Sequence, residues 1–331
     1  MSRRLFLAAL GLWAGQARTA AAAPLPPYQP RAVSPPENRP YQTADGSIRI
    51  VGYADVAPLL AALNRHFAET HPGFRFAFEP ALTRQAAAAL AGGRSAFAPM
   101  GAEFEAGESA DYRRLAGSEP LAFGIAHDPI NSQAKSGPVG IFVHPSNPLT
   151  VLTTAQVQRI FARVRTGESL TRWGQLGLGG EWRELPIVPC GIPFGVGVGV
   201  FMQHEFGGKP SASAFLPFRQ SEAILAYVGS HPGAVGFARI NPATARVKLV
   251  GIDRQDGRGP SRASANDLIA GRYAYDRPLL IYVRQPLEPW IAEYLRLIYS
   301  RDGQALVAGS PPHYLPLTPE QAAAERDRLP P

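Results

Sequence analysis

The chain has 331 residues, of which 45% are hydrophobic and 18% charged, a formal net charge of +7 and one cysteine, Cys190. That length buries one large core or two ordinary ones. A lone cysteine excludes an internal disulfide framework, and a mild positive charge carried in no lysine or arginine run gives no ground for a nucleic-acid partner.

Residues 1–22 read as an export signal. Arg3 and Arg4 precede an apolar run, and small residues from Ala20 to Ala23 offer a cleavage site. Ser2, Arg3, Arg4, Phe6 and Leu7 match the twin-arginine pattern S-R-R-x-F-L. The run is shorter than the roughly 20 residues that span a bilayer, so the mature protein is expected to be soluble, in the periplasm or secreted. Cleavage removes Arg3, Arg4 and Arg18, taking the formal charge from +7 to +4. Residues 23–46 carry seven prolines between Ala23 and Gln42. They predict an extended arm, either a plain spacer or a strap lying on the protein or a partner.

From Ser47 the pattern becomes α/β. Ile48 and Ile50 alternate with Arg49 and Val51 in a short strand, and Phe74, Phe76 and Phe78 alternate in another. Between them Leu59, Leu60, Leu63 and Phe67 share one helical face. Thr83 is placed to cap an alanine-rich helix that runs to Ala91 and stops at Gly92. Thr153 or Thr154 is placed to cap a helix burying Val157, Ile160, Phe161 and Val164. Leu279–Val283 reads as a strand and Trp290–Tyr299 as a helix. Strands alternating with helices predict doubly wound sheets.

The stretch Pro189–Gln203, P-C-G-I-P-F-G-V-G-V-G-V-F-M-Q, is a glycine-rich turn entering a helix. Backbone N–H groups at such a place attract anions, but a selective site adds hydroxyls and a guanidinium, and this one has none. G-V-G-V-G lacks the third glycine and the lysine of nucleotide-binding loops. No H-E-x-x-H, C-x-x-C or G-x-S-x-G occurs, so no catalytic residue, metal ligand or cofactor is nominated and enzyme activity is not expected. His66 and His71 face different sides of a helix and do not make a metal pair. His204 and Glu205 read as a polar cleft edge or a solvated helix face. Cys190 reads as a buried small hydrophobe or a reactive thiol.

V-H-P-S-N-P-L-T from Val143, T-T-A-Q-V-Q-R-I-F from Thr153, W-G-Q-L-G-L-G-G-E-W from Trp173, H-P-G-A-V-G-F-A from His231, R-P-L-L-I-Y-V from Arg277 and Y-L-P-L-T-P-E from Tyr314 follow one another along the chain. In that order they resemble the periplasmic phosphate-binding component of phosphate ABC transporters, from Ser47 to Arg328. The resemblance implies a type II periplasmic binding protein fold, two doubly wound α/β domains joined by crossover strands, with a small ligand, phosphate or another solute, in the cleft between them. It implies domain I at 47–128 and 241–331, domain II at 129–240, and the membrane complex of an ABC transporter as partner.

The same resemblance nominates the ligand loops. Gly52-Tyr53-Ala54-Asp55 stands where the family has a hydroxyl-bearing loop; Asp55 is a good N-cap, and Tyr53 offers one hydroxyl or closes the pocket. Thr83, Arg84 and Gln85 form the second loop, with Arg84 the charge partner of an anion, an exposed arginine in the first turn of a helix, or a salt-bridge partner of Asp55. In the third, Pro99 and Met100 fix the register, and the family's acidic acceptor, serine and arginine become Ala96, Gly101 and Ala102. In the fourth, which holds Phe194, Gly195, Val196 and Gly197, the arginine becomes Gly191 or Ile192 and the serine and threonine become glycine or valine. Losing these donors argues against ordinary high-affinity phosphate recognition. A cleft of Tyr53, Met100, Ile192, Phe194, Val196 and Val198 would suit an apolar ligand. The alternative is a non-transport interaction or scaffold protein that keeps the fold without a small ligand.

Overall fold

A computed structural model describes residues 24–131, 134–165 and 167–331; the expected export signal lies outside them. The first series of elements is β1 (Ile48–Tyr53), α1 (Ala57–Thr70), β2 (Phe76–Ala81), α2 (Thr83–Ala91), β3 (Phe97–Met100), α3 (Ala106–Ala116) and β4 (Leu121–His127). The second is β5 (Val139–Val143), β6 (Val151–Thr153), α4 (Thr154–Phe161), β7 (Val188–Gly191), α5 (Val198–Glu205), β8 (Leu216–Pro217), α6 (Ser221–Ser230), β9 (Ala234–Arg239), β10 (Lys248–Leu249), β11 (Gly251–Asp253) and α7 (Ala265–Ile269). The chain then returns through β12 (Pro278–Val283), α8 (Pro289–Ile298), α9 (Arg301–Gly309) and α10 (Pro319–Arg326).

The apolar periodicities decide where these elements pack. Ile48 and Ile50 of β1 and Leu59, Leu60, Leu63 and Phe67 of α1 are buried with Trp290, Tyr294 and Leu295 of α8 in one core. In that half β1 and β2 run parallel, and β12 lies antiparallel between β3 and β4, with Leu280 opposite Met100 and Gly124. A second core gathers Phe161, Trp173, Met202, Val228 and Phe237 beneath a sheet of order β10-β5-β9-β7-β8, in which β7 and β9 are parallel. Two α/β units joined by two crossings of the chain are the architecture expected.

The second crossing comes later than expected. Val247, Ile252, Leu268, Tyr273 and Tyr275 all belong to the second core, and β10 pairs antiparallel with β5, Leu249 opposite Phe142. The return to the first core therefore falls between Tyr275 and Leu279, not at residue 241. The strands at 248–253 are only two and three residues long, too short to show an alternation in sequence.

Two caps also differ in detail. Thr153 caps α4 as expected: its hydroxyl accepts from Gln156 N at 3.1 Å while Gln156 Oε1 accepts from Thr153 N at 2.8 Å. The N-cap of α2 is Leu82, one residue before Thr83, whose side chain lies outside the described residues. α4 ends at Phe161, so Val164 lies beyond it.

The proline-rich arm is a strap on the first core. Leu25, Tyr28 and Val33 pack against it, Arg301 N donates to Pro26 O at 2.8 Å, and His71 Nε2 meets Arg31 O at 3.0 Å. Glu293, fully buried, accepts from Tyr28 Oη at 2.8 Å and from Arg31 N at 3.0 Å, and its other oxygen lies 3.4 Å from Arg296. A carboxylate buried at this depth needs these donors. Tyr28→Phe removes one of them, and urea unfolding of the mature protein should show a loss of about 1.5–3 kcal/mol, the range for a hydrogen bond to a charged group.

Candidate ligand-binding site

A cleft of 560 Å³ opens where the two halves meet. It lies beyond the ends of β1, β3, β7 and β9, the edge at which open α/β sheets receive ligands. Tyr53, Gly101 and Ala102 line it from the first half, and Ile192, Gly197 and Val198 from the second.

Its remaining wall is cationic. Arg239 ends β9, Arg219 precedes α6, and Lys135 and Arg277 stand on the two crossings. Glu222 is the only carboxylate among the lining residues, and it pairs with Arg239 at 3.3 Å. Arg239 Nη1 also donates to the carbonyl of Lys135, which fixes the guanidinium at the cleft wall. Arg219 is exposed and makes no ion pair among the described residues. Gln220, the N-cap of α6, and Ser221 follow it, so the free N–H groups of this ten-residue helix point to the same side.

Beneath this wall sits a buried polar cluster. Arg277 is 3% exposed and its Nη2 donates to Gly101 O at 2.7 Å. Asp128 Oδ2 lies 3.9 Å from Nη1, Glu103 Oε2 lies 4.0 Å from Nη2, and the Phe201 ring centre is 5.8 Å from the guanidinium carbon. Arg277 Nε, Ser136 Oγ and both Asp128 oxygens make no hydrogen bond among the described residues. Burial pushes the Asp128 carboxyl up to about 7, against the pull of Arg277. Asp128 thus keeps its proton to a higher pH than an ordinary aspartate does.

The sequence-nominated residues divide. Tyr53, Gly101 and Gly197 line the cleft. Asp55 stands just behind it, and is not an N-cap: α1 starts from Val56, and the Asp55 carboxylate accepts from Tyr53 Oη at 2.9 Å and Lys135 N at 2.8 Å. Arg84 is exposed on α2, outside the lining, where its charge works against the burial-driven rise of the Glu108 carboxyl. It does not pair with Asp55. Gln85 is spent on Leu82 N at 3.1 Å. Met100 is fully buried in the first half, and Phe194 packs against Phe206, Phe215 and Phe237 of the second core. Gly195 and Val196 are exposed and line nothing in the cleft. Of the residues expected to make an apolar lining, Tyr53, Ile192 and Val198 line the cleft, and Lys135, Arg219, Arg239 and Arg277 line it with them. Two of these cations stand in or beside motifs already singled out, Arg277 opening R-P-L-L-I-Y-V and Arg239 following H-P-G-A-V-G-F-A, but nothing local marks them as facing one cleft.

The glycine-rich turn has its own geometry. Gly197 takes φ +48°, a region costly for other residues, and a Cβ on Gly199 would lie 2.0 Å from Pro193 O. The Gly197 N–H at the start of α5 donates to Glu105 Oε1 of the first half at 3.4 Å. The backbone anion seat read from the sequence is thus met by the protein's own carboxylate. Cys190 is fully buried, and burial pushes its thiol up to about 12, so it is a small core residue and not a nucleophile.

A model of the PBP superfamily domain matches residues 38–302. The chain belongs to that superfamily. The phosphate-binding protein PstS of Pseudomonas aeruginosa PAO1 is 26% identical over 290 residues, covering 85% of this chain and 86% of that protein. Among solved structures, an ABC-type phosphate transport receptor from Vibrio cholerae superposes with a TM-score of 0.53 at 20% identity, over 80% of this chain and 99% of its own. PstS from Borrelia burgdorferi gives 0.52 at 13% identity, over 82% and 98%. At those identities the structures speak for the fold, and the resemblance to phosphate-binding components of ABC transporters is borne out. Among the described residues no helix is long and apolar enough to cross a membrane.

The buried acid gives a pH signature. The folded state raises the Asp128 pKa from 3.8 to about 7, so its contribution to stability is full below about pH 4 and is lost as pH rises through about 7. Asp128→Asn stays neutral throughout. Its melting temperature should fall less between pH 5 and pH 8 than that of the unaltered protein; equal slopes would mean that Asp128 is not held protonated.

Proposed function

We propose that this chain is an exported receptor that holds an oxyanion of the phosphate type between its two halves and presents it to the membrane complex of an ABC transporter. The observation that carries the reading is the convergence of Arg219, Arg239, Arg277 and Lys135 on one cleft with a single lining carboxylate. The printed names of the relatives, a phosphate-binding protein and an ABC-type phosphate transport receptor, support the same ligand class.

The chemistry is charge-assisted hydrogen bonding at a partly dehydrated wall, where such bonds are strongest. Arg239 and Arg277 supply guanidinium donors from fixed positions. The start of α6 adds backbone N–H groups, and Ser136 stands in the lining beside Asp128 and Tyr53. On this reading Arg219, Arg239, Arg277 and Lys135 of the second half and the crossings replace the donors that the matched loops lack. Closure about the two crossings would bring Tyr53 and Gly101 over the ligand. The Glu105 carboxylate on Gly197 N favours a second reading, in which the halves hold each other without a ligand and the protein acts through partners.

Calorimetric titration of phosphate into the mature, phosphate-free protein distinguishes them. One-to-one binding is expected, weakened about tenfold or more in Arg219→Met, since a hydrogen bond to a charged group contributes about 1.5–3 kcal/mol. Arg84→Met should bind as the unaltered protein does. No heat up to millimolar phosphate would favour the reading without a ligand, and a loss confined to Arg84→Met would move the site to the first-half loops.

A further inference from the structure

The cleft has two unlike walls. Arg219, Arg239 and Arg277 face it from one side. From the other, Tyr53, Gly101 and Ala102 offer no free side-chain donor, because the Tyr53 hydroxyl is already given to Asp55 at 2.9 Å. What Tyr53 leaves for a ligand is its ring. That ring lies over Gly101: a Cβ at residue 101 would meet Tyr53 Cε1 at 3.0 Å and Cδ1 at 3.1 Å. The glycine is what lets the aromatic ring occupy this place, and any side chain at 101 would compete with it. Ile192 and Val198 extend the apolar surface from the second half.

Size points the same way. The cleft measures 560 Å³, within the range of about 300–1,000 Å³ that suits small organic ligands. An inorganic oxyanion of five heavy atoms fills roughly 150 Å³ if each atom is given a water's share of about 30 Å³. In the open cleft described here, a free oxyanion on the arginines would leave the Tyr53 side wet and uncontacted, whereas a larger ligand reaches that ring before any closure.

Resting on the reading above, we infer that the ligand is an organic phosphate, a monoester or phosphonate whose anionic head meets Arg239, Arg277 and Arg219 while an apolar or aromatic body lies on the Tyr53 ring, Ile192 and Val198. The head supplies the charge recognition. The body supplies apolar burial and ring stacking, which a bare oxyanion cannot.

Phenyl phosphate, phenylphosphonate and inorganic phosphate titrated into the mature, phosphate-free protein at one pH give the test. At least one phenyl compound should bind about tenfold or more tightly than inorganic phosphate, and Tyr53→Ala should remove most of that difference. Which of the two is preferred separates an ester from a phosphonate. Saturation-transfer NMR on the unaltered protein gives a readout independent of the variant's folding: the phenyl protons should receive magnetisation from the protein. Inorganic phosphate binding as tightly as the phenyl compounds, or phenyl protons without transfer, would overturn the organic ligand and leave the oxyanion receptor standing. No binding of any of the three would overturn the receptor reading itself, and this inference with it.

Discussion

A guanidinium held at 3% exposure is the constraint around which the molecule is arranged. Arg277 stands on the second crossing between the halves. Its Nη2 holds the Gly101 carbonyl of the first half, its face lies toward Phe201 of the second, and Asp128 at the end of the first crossing lies 3.9 Å away. Removing a charge from water is costly unless partners meet it. Here they come from both halves and the first crossing, so the position of one half relative to the other and the electrostatics of the cleft are the same problem. Two carboxyls face this charge, Asp128 at 3.9 Å and Glu103 at 4.0 Å, and burial raises the pKa of the first.

Around that node the two halves contribute unequally. The first half supplies shape: Gly101 without a side chain, the Tyr53 ring above it, and Asp55 holding the Tyr53 hydroxyl. The second half and the crossings supply charge through Arg219, Arg239 and Lys135. The N-terminus of α5, the expected anion seat, faces Glu105, which leaves the start of α6 as the cleft's open helix end. The proline-rich strap belongs to a different task. Through Tyr28 and Arg31 it satisfies Glu293 on the far side of α8, and so it stabilises the half that carries Tyr53.

Much of the fold was legible because periodicity reports burial. The alternation at Ile48 and Ile50, the helical stripe from Leu59 to Phe67 and the Thr153 cap are local patterns, and all three stand in the structure. The return to the first half after Tyr275 was not legible, because the short strands β10 and β11 owe their place to pairing with β5 and β6. The site was legible only in part for the same reason. Matching loops one by one found Tyr53, Gly101 and Gly197, and it also counted donors as lost. It could not see that isolated arginines at residues 219, 239 and 277, far apart in sequence, converge through topology. Asp55 misled as a cap because its carboxylate is taken by Lys135 N, a partner 80 residues away.

The central claim is that the anion's seat lies among the second-half and crossing cations. Crystals of the mature protein grown with tungstate, read by anomalous scattering at the tungsten edge, would locate that seat directly. The account predicts one strong peak in the cleft, within hydrogen-bonding reach of Arg239 and Arg277. A peak beside Arg84 and the start of α2, or none in the cleft, would contradict it.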